Sequence, residues 1–440
     1  MIERIQNEQS QFIKRLDIAL EGINPEEREL SAKLIEAAIT IAPIYALQQN
    51  DNYLGANFYP PDIAPEEIEE ASKKDPTILS EYTVVKRDSG GALTAVPYHQ
   101  EYRDLLTPAS ERLIQAAQAC PDEDFKKYLN LRAQSLLDGD YEKSEKLWLS
   151  NPEPTIDIVI GPYDRYIDRL LSRKFAYLAW TGVIDREETT KSQRFVNAFV
   201  EAHNWQGSPI KVRADRTRIF TGLASIGWSA NNLPCQQDWR EKYGSKITIF
   251  LPSFHERFAQ RLQALRSIWL ASREASPDYL EGISRIELLA HESSHPLIRR
   301  AGDQQRLKRH YSTISELYCD TLGIYVSKEL IAKEISQQDW ELLIPTSCAW
   351  GVAWYREIQA PSVLSTYLST KIIGFNYLLE KNAISVHNGT LRVTSPDRLD
   401  ESLGEFTQEL EVLVSEGTEE EAGKFIARYD NPRQFAQLAA

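Results

Sequence analysis

The residues of this 440-residue chain that can do chemistry are concentrated between Glu287 and Asp320. His291, Glu292 and His295 follow the order His-Glu-x-x-His. Residues four apart on a helix lie on one face, so the two imidazoles can bind one metal ion. Glu292 is rotated by about 100° from His291, because a helix has about 3.6 residues per turn, and it can face a metal-activated water. The segment therefore predicts a zinc-hydrolase centre.

A second predicted helix offers the remaining ligand. Glu316 lies in the stretch ISELYCDTLGIY, 21 residues after His295, and Asp320 follows one turn later. Two histidines and one glutamate form a ligand set of catalytic zinc and leave a fourth position for water. Asp320 can accept the second ring N–H of a ligand histidine and so fix its tautomer. The alternative is two partly buried histidines beside a solvated acidic helix, but five residues match at the required spacings, which favours zinc.

The elements that must position these residues are mainly helices. An amphipathic pattern predicts a helix over 277–295, and Pro296 is expected to end it because a residue before proline is disfavoured in the α region. Asn388-Gly389 predicts a hairpin turn within 385–393. Apolar periodicity predicts further helices at 253–273, 311–333, 336–358, 362–382, 396–415 and 418–428.

Changes in pattern along the chain divide it into three regions. Residues 1–150 form an N-terminal, mainly helical region, which begins with Ile5, Phe12, Leu16 and Leu20 at helical spacing. Residues 151–251 form a β-containing lobe, interrupted by one helix near 187–204. Residues 252–440 form the helical zinc-binding lobe. The predicted fold class is α+β, mainly helical, with two lobes around a cleft.

Composition limits the classes of partner. The net charge of −14 opposes binding to nucleic-acid backbones and anionic membranes. No apolar run approaches about 20 residues, and the first residues lack the apolar region of a secretory signal. The four cysteines are scattered, without a C-x-x-C pair, as is usual for reduced thiols in a cytoplasm. We therefore expect a cytoplasmic protein that acts on a short peptide or another small molecule, while its oligomeric state stays open.

Several stretches, in shared order, resemble the dipeptidyl peptidase III family of zinc peptidases. SELYCD (315–320) is similar to the family's second motif, which implies that Glu316 is a zinc ligand and Asp320 orients a histidine. The other similar stretches are IDIVIGPYDRYIDRL (156–170), NNLPCQQDWREKYGSK (231–246) and STYLSTKIIGFNYLLEKNAI (365–384). The resemblance implies a helical catalytic lobe facing a lobe with a β-barrel. It also implies that Asp157 and Asn232 bind substrate and that Tyr367 stabilises the transition state.

The chain departs from the family pattern around the substrate. Its metal motif is one residue shorter between the histidines, and Ser315 replaces the first glutamate of the second motif. Val159 and Cys235 stand where the family has a tyrosine and an asparagine. The family's transition-state histidine, the arginine after it and a substrate-binding glutamate are here replaced, in that order, by Tyr367, Lys371 and Asp157. The metal chemistry is retained, whereas the substrate-holding residues are remodelled.

Three functions follow from this pattern. The first is a zinc-dependent metallohydrolase that cleaves short peptides, with Glu292 as general base. The second is a zinc hydrolase of a non-peptide amide, ester or lactone, which the changes at Val159 and Cys235 favour. The third is a non-catalytic peptide-binding protein in which zinc is a structural staple. The intact Glu292 argues against the third, because a structural site needs no base.

Overall fold

The computed structural model describes residues 9–16, 21–151, 154–226, 228–300, 302–358 and 363–439. The chain separates into two compact units. The first comprises Met1–Thr189, Arg213–Trp228 and Leu233–Ser253, and the second Thr190–Val212, Ser229–Asn232 and Phe254–Ala440.

A sheet is the centre of the first unit. It contains β1 (Ile13–Arg15), β4 (Ile156–Asp164), β5 (Ala176–Ile184), β6 (Ile210–Thr221) and β8 (Ser245–Phe250), and its β1–β6, β4–β5 and β5–β6 pairs are antiparallel. Its strands run in the order β4-β5-β6-β8, and β1 pairs with β6. Every residue of β4 and β5 is buried, so both faces of these strands are covered. The sheet curls into a half-barrel. The remaining strands before residue 251 are β2 (Thr83–Arg87) and β3 (Leu93–Pro97), which form a separate two-stranded sheet, and β7 (Ala230–Leu233).

The chain before β8 also contains helices, the first of which packs against β4 and β5 of this sheet. Their bounds are α1 (Pro25–Gln48), α2 (Pro65–Ser72), α3 (Tyr98–Glu101), α4 (Arg103–Ala119), α5 (Glu123–Asp138), α6 (Glu142–Ser150), α7 (Arg186–Ala202) and α8 (Gln237–Tyr243). Helix α1 is long and apolar enough to cross a membrane. It packs against α4 and β5, however, and the buried core helix of a folded unit has the same composition.

The second unit is mainly helical and contains a hairpin. Helix α10 (Pro277–Ser294) packs against α12 (Tyr311–Ser327) and α13 (Gln337–Glu357), and α12 also packs against α14 (Val363–Glu380) and α15 (Pro396–Glu416). The other elements are α9 (Leu251–Ile268), α11 (Asp303–Leu307), α16 (Glu419–Tyr429), α17 (Pro432–Ala439) and the hairpin strands β9 (Ile384–His387) and β10 (Thr390–Val393).

The predicted mainly helical α+β class is confirmed. The hairpin at Asn388-Gly389 is confirmed as well. The helix expected at the N-terminus is wrong for residues 9–15, which form a 3₁₀ turn and then β1, because pairing with β6 prevails over local periodicity. Ile5 and Leu20 lie outside the described residues.

Candidate metal centre

Helix α10 presents the two histidines. Ser276 caps it by accepting a hydrogen bond from the Tyr279 N–H at 3.2 Å, and regular helix ends at Ser294. His295 nevertheless keeps helical dihedrals (φ −51°, ψ −44°). The expectation that Pro296 would push His295 out of the α region is therefore wrong, and the four-residue spacing holds. The rings of His291 and His295 are 5.0 Å apart between centroids and nearly perpendicular.

Glu292 lies beside the imidazoles. One ligand atom from each of His291, Glu292 and His295 can be chosen so that all three lie within 4.8 Å of one another. The Glu292 Oε2 atom is 3.9 Å from Nε2 of His295. Glu292 is buried, and its main-chain carbonyl accepts a 2.8 Å hydrogen bond from Nδ2 of Asn232. Asn232, predicted as a substrate-binding residue, thus contacts the backbone of the predicted base.

Helix α12 brings two carboxylates to His291. Oε2 of Glu316 lies 3.2 Å from Nε2, and Oδ1 of Asp320 lies 2.8 Å from Nδ1. Gly323 allows this approach, because a Cβ there would meet the Ala290 carbonyl carbon of α10 at 2.9 Å. Sequence reasoning missed Gly323. Its position one turn after Asp320 marks the side of α12 that faces α10.

The donor set fits a divalent metal such as zinc. Two ligands about 2.1 Å from a tetrahedral ion are about 3.4 Å apart, close to the 3.2 Å between Nε2 of His291 and Oε2 of Glu316. Burial lowers the pKa of His291, but hydrogen bonds to Asp320 and Glu316 outweigh it and raise that pKa well above its usual value. The carboxylates therefore favour a positive charge at this ring. His291, His295 and Glu316 are the residues that would hold the ion.

Lys371 on α14 neutralises the carboxylate that orients His291. Its Nζ donates to Oδ2 of Asp320 at 2.8 Å and to Oγ of Ser347 at 3.1 Å. Burial alone raises the pKa of Asp320. The charge of Lys371 and the hydrogen bond with His291 outweigh that effect, so the carboxyl pKa is held below its usual range. Asp320 is consequently an ionised acceptor for the His291 ring.

A second buried carboxylate, Glu287, lies behind this pair. Lys371 Nζ is 3.6 Å from Oε1 of Glu287, and Oε2 accepts from Arg261 at 3.2 Å and from the Trp350 indole at 3.1 Å. Glu287 is four residues before His291 on α10, so the same spacing that relates the histidines could have indicated it. Helical spacing does not indicate its partners, because they lie on other helices, α9, α13 and α14.

Cys319 is a further residue that sequence reasoning missed. Its sulfur lies 3.2 Å from Nδ1 of His295, and the side chain is fully buried. Cys319 immediately precedes Asp320, so adjacent residues of α12 contact different histidines.

Tyr367 lies on α14, one turn before Lys371. Its ring centroid is 6.0 Å from that of Trp354, and its main-chain carbonyl accepts from the Thr370 hydroxyl at 2.8 Å. These contacts do not test its predicted role at the transition state, which stays a prediction.

Asp157 belongs to β4 of the first unit and is buried. Its carboxylate pairs with the Arg213 guanidinium and accepts from the Trp148 indole at 3.0 Å. Val159 is also buried on β4. The sulfur of Cys235 lies 3.6 Å from the main-chain carbonyl oxygen of Tyr163. Substrate binding by Asp157 stays a prediction, and these contacts give it a structural role as well.

No family model matches the chain. Nudix hydrolase 3 of Arabidopsis thaliana is 21% identical in an alignment of 425 residues that covers 85% of this chain and 54% of that protein. The chain thus spans about half the length of this curated relative.

Two solved structures cover 99% of the chain. Dipeptidyl-peptidase III from Corallococcus sp. strain EGB is 21% identical with a TM-score of 0.85, and 94% of it is covered. DPP III from Caldithrix abyssi is 23% identical with a TM-score of 0.78, and 96% of it is covered. The chain therefore has the mainly helical α+β fold of the dipeptidyl peptidase III family, as the sequence resemblance predicted.

Proposed function

We propose that this chain is a zinc-dependent metallohydrolase that cleaves short peptides. The observation that carries the proposal is the set of His291, His295 and Glu316 with the Glu292 carboxylate beside it. The dipeptidyl peptidase III fold supports a peptidase in particular. When bound, Zn²⁺ would lower the pKa of a water molecule to about 7 and polarise the scissile carbonyl.

The protein's own residues then carry the proton. Oε2 of Glu292 lies beside Nε2 of His295, so this carboxylate accepts the proton of the attacking water and delivers it to the leaving amine. Asn232 positions the base by holding the Glu292 main chain. Asp320 keeps the His291 ring in place, so that Nε2 faces Glu316.

Substrate contacts are part of the same proposal. We assign Asp157 and Asn232 to substrate binding and the Tyr367 hydroxyl to the developing oxyanion, where a donor is needed. The four cysteines are free thiols in the structure, which supports a reducing, cytoplasmic location.

A second candidate, hydrolysis of a non-peptide amide, ester or lactone, is favoured by one observation. The carboxylate of Asp157 is engaged by Arg213 and Trp148, which reduces its capacity to hold a peptide amino terminus. A panel of dipeptidyl arylamides and of simple esters and lactones separates the two. Zinc-dependent cleavage of the arylamides supports the peptidase, and cleavage of the esters or lactones alone supports this candidate.

Glu292→Gln tests the proposed chemistry. The variant keeps the size of the side chain and loses the base, so we expect one bound zinc per chain and at least about 100-fold lower turnover. Zinc content is measured by mass spectrometry after metal-free purification and reloading, and turnover on a mixed peptide library. The proposal fails if the parent binds no stoichiometric zinc, and Glu292 is not the base if the variant stays as active as the parent.

A further inference from the structure

The two histidines have chemically different partners at Nδ1. Nδ1 of His291 lies 2.8 Å from a carboxylate oxygen of Asp320, and Nδ1 of His295 lies 3.2 Å from the sulfur of Cys319. Both partners come from α12 and are consecutive in the sequence. One helix therefore holds both rings by their Nδ1 edges, with Nε2 of His295 on the side of Glu292.

The two partners restrict the imidazoles to different degrees. An ionised carboxylate can only accept, so Asp320 fixes the proton on Nδ1 of His291 and leaves Nε2 with a lone pair for a metal. A thiol is a weak acceptor and also a weak donor, so it accepts from Nδ1–H or donates to Nδ1. His295 is thus held in position without a strong selection of its tautomer.

Burial keeps the sulfur of Cys319 and the His295 ring in contact. Cys319 is 0% exposed and His295 is 8% exposed, so neither ring nor thiol can readily leave the other. The 3.2 Å separation is short for a contact to sulfur and places the ring edge against Sγ. Removing that atom would open a space beside Nδ1 into which the ring can turn.

We propose that Cys319 is the positioning residue of His295, and that the metal centre combines a rigidly held His291 with a more adaptable His295. This inference rests on the proposed metal site. The sulfur contacts Nδ1 of His295, while Nε2 lies on the side of Glu292, so Cys319 supports metal binding through orientation of the ring. Substitution of Cys319 therefore changes metal affinity without removing a ligand.

The test measures zinc affinity in Cys319→Ala and Cys319→Ser. Loss of a partner that orients a metal ligand weakens metal affinity by about 10- to 100-fold, and we expect this for Cys319→Ala. Cys319→Ser keeps a small acceptor at the position and is expected to recover much of the loss. The dissociation constant is measured by competition with a chromophoric chelator, so no substrate is involved.

Cys348→Ala is the matched control. Cys348 is also a buried cysteine on a helix of the second unit, and its removal tests the general effect of losing a buried thiol. We expect its zinc affinity to equal that of the parent. Circular dichroism and urea midpoints verify that all variants fold. If Cys319→Ala does not fold, Cys319→Ser carries the test, with a smaller loss of affinity expected.

A Co²⁺-substituted parent distinguishes positioning from direct ligation. A cobalt–sulfur bond gives an intense near-ultraviolet charge-transfer band, which a positioning thiol does not give. The proposal is overturned if that band appears in the parent and vanishes in Cys319→Ala, or if Cys319→Ala, or Cys319→Ser in its place, binds zinc as tightly as the parent. A parent that binds no zinc overturns the proposed function as well, so the two failures are distinguishable.

Discussion

Asp164 in the first unit and Asp320 in the second are both shielded from water, yet their surroundings shift their carboxyl pKa values in opposite directions. Asp164 is fully buried at the end of β4, where Oδ1 accepts a 2.9 Å hydrogen bond from the Tyr166 N–H. Burial raises the pKa of Asp164 to about 7, and that hydrogen bond offsets only part of the effect. Asp320 is 11% exposed, and its pKa lies below its usual range despite burial, because of Lys371 and His291.

The difference shows what each position requires. Asp164 terminates a strand by accepting from a turn amide, which a neutral carboxyl group also does. Asp320 must be ionised, because only then is it purely an acceptor for Nδ1–H of His291. Lys371 supplies the charge that makes this possible inside the protein. Removing the charge of Lys371 is therefore the direct way to test the comparison.

Lys371→Met should have the largest effect. It removes the cation that the carboxylates of Asp320 and Glu287 share, and removing one partner of a buried ion pair costs about 3–5 kcal/mol. We expect that loss in the free energy of urea unfolding of the metal-free protein, together with weaker zinc binding.

The double variant Lys371→Met, Asp320→Asn is its control. If the uncompensated carboxylate causes the loss, the double variant is more stable than Lys371→Met alone. Equal or lower stability of the double variant would show that Lys371 acts through packing, for example against Gly351, where a Cβ would meet the lysine side chain at 2.7 Å.

Asp164→Asn tests whether the raised pKa of Asp164 makes the stability of the protein depend on pH. The native pKa of Asp164, about 7, exceeds the unfolded value of about 3.9, so the folded state holds the proton longer. Its contribution to stability is complete below about pH 4 and is lost as pH rises towards 7. Asparagine does not titrate, so the variant does not lose this stability. Its free energy of unfolding minus that of the parent should therefore rise by about 2–4 kcal/mol between pH 4 and pH 8.

Urea unfolding of both proteins at the two pH values measures this gain. Any cost of placing an amide in the site cancels, because it is present at both values. A stability difference that does not change with pH would show that Asp164 is ionised in the folded protein. Its contrast with Asp320 would then disappear.

The fold was predictable where local pattern and tertiary structure agree. The helix predicted at 396–415 is observed as α15, Pro396–Glu416, because Ser395 caps it, a proline begins it and an apolar stripe continues through it. Residues 9–15 were not predictable. Strand β1 exists only because it pairs with β6, about 200 residues later, and periodicity over a short window does not contain that information.

The same limit applies to the candidate site. His291 and His295 could be paired from the sequence, since helical spacing alone puts them on one face. The pairing of Asp320 with a particular histidine, and the contact of Cys319 with the other, depend on how closely α10 and α12 approach at Gly323. In the sequence Lys371 is recognisable only as a replacement for an arginine, because its bond to Asp320 arises from packing of α14 on α12.

Thr370→Val should have the smallest effect and shows how much a neutral donor adds. The Thr370 hydroxyl is 3.3 Å from Oδ2 of Asp320 and 2.8 Å from the Tyr367 carbonyl. One hydroxyl proton cannot serve both, and the shorter bond takes it. We expect a loss of about 1 kcal/mol in unfolding free energy, the usual net value of one hydrogen bond, and zinc affinity close to that of the parent.

Thr321→Val is the matched control, because the Thr321 hydroxyl bonds to the Leu317 carbonyl within its own helix. Similar small losses in both variants would mean that Thr370 stabilises its helix, with Lys371 as the main donor to Oδ2 of Asp320. If Thr370→Val instead weakened zinc binding as strongly as Lys371→Met, the charge of Lys371 would not explain the state of Asp320. The contrast with Asp164 would then reflect the number of hydrogen bonds to each carboxylate.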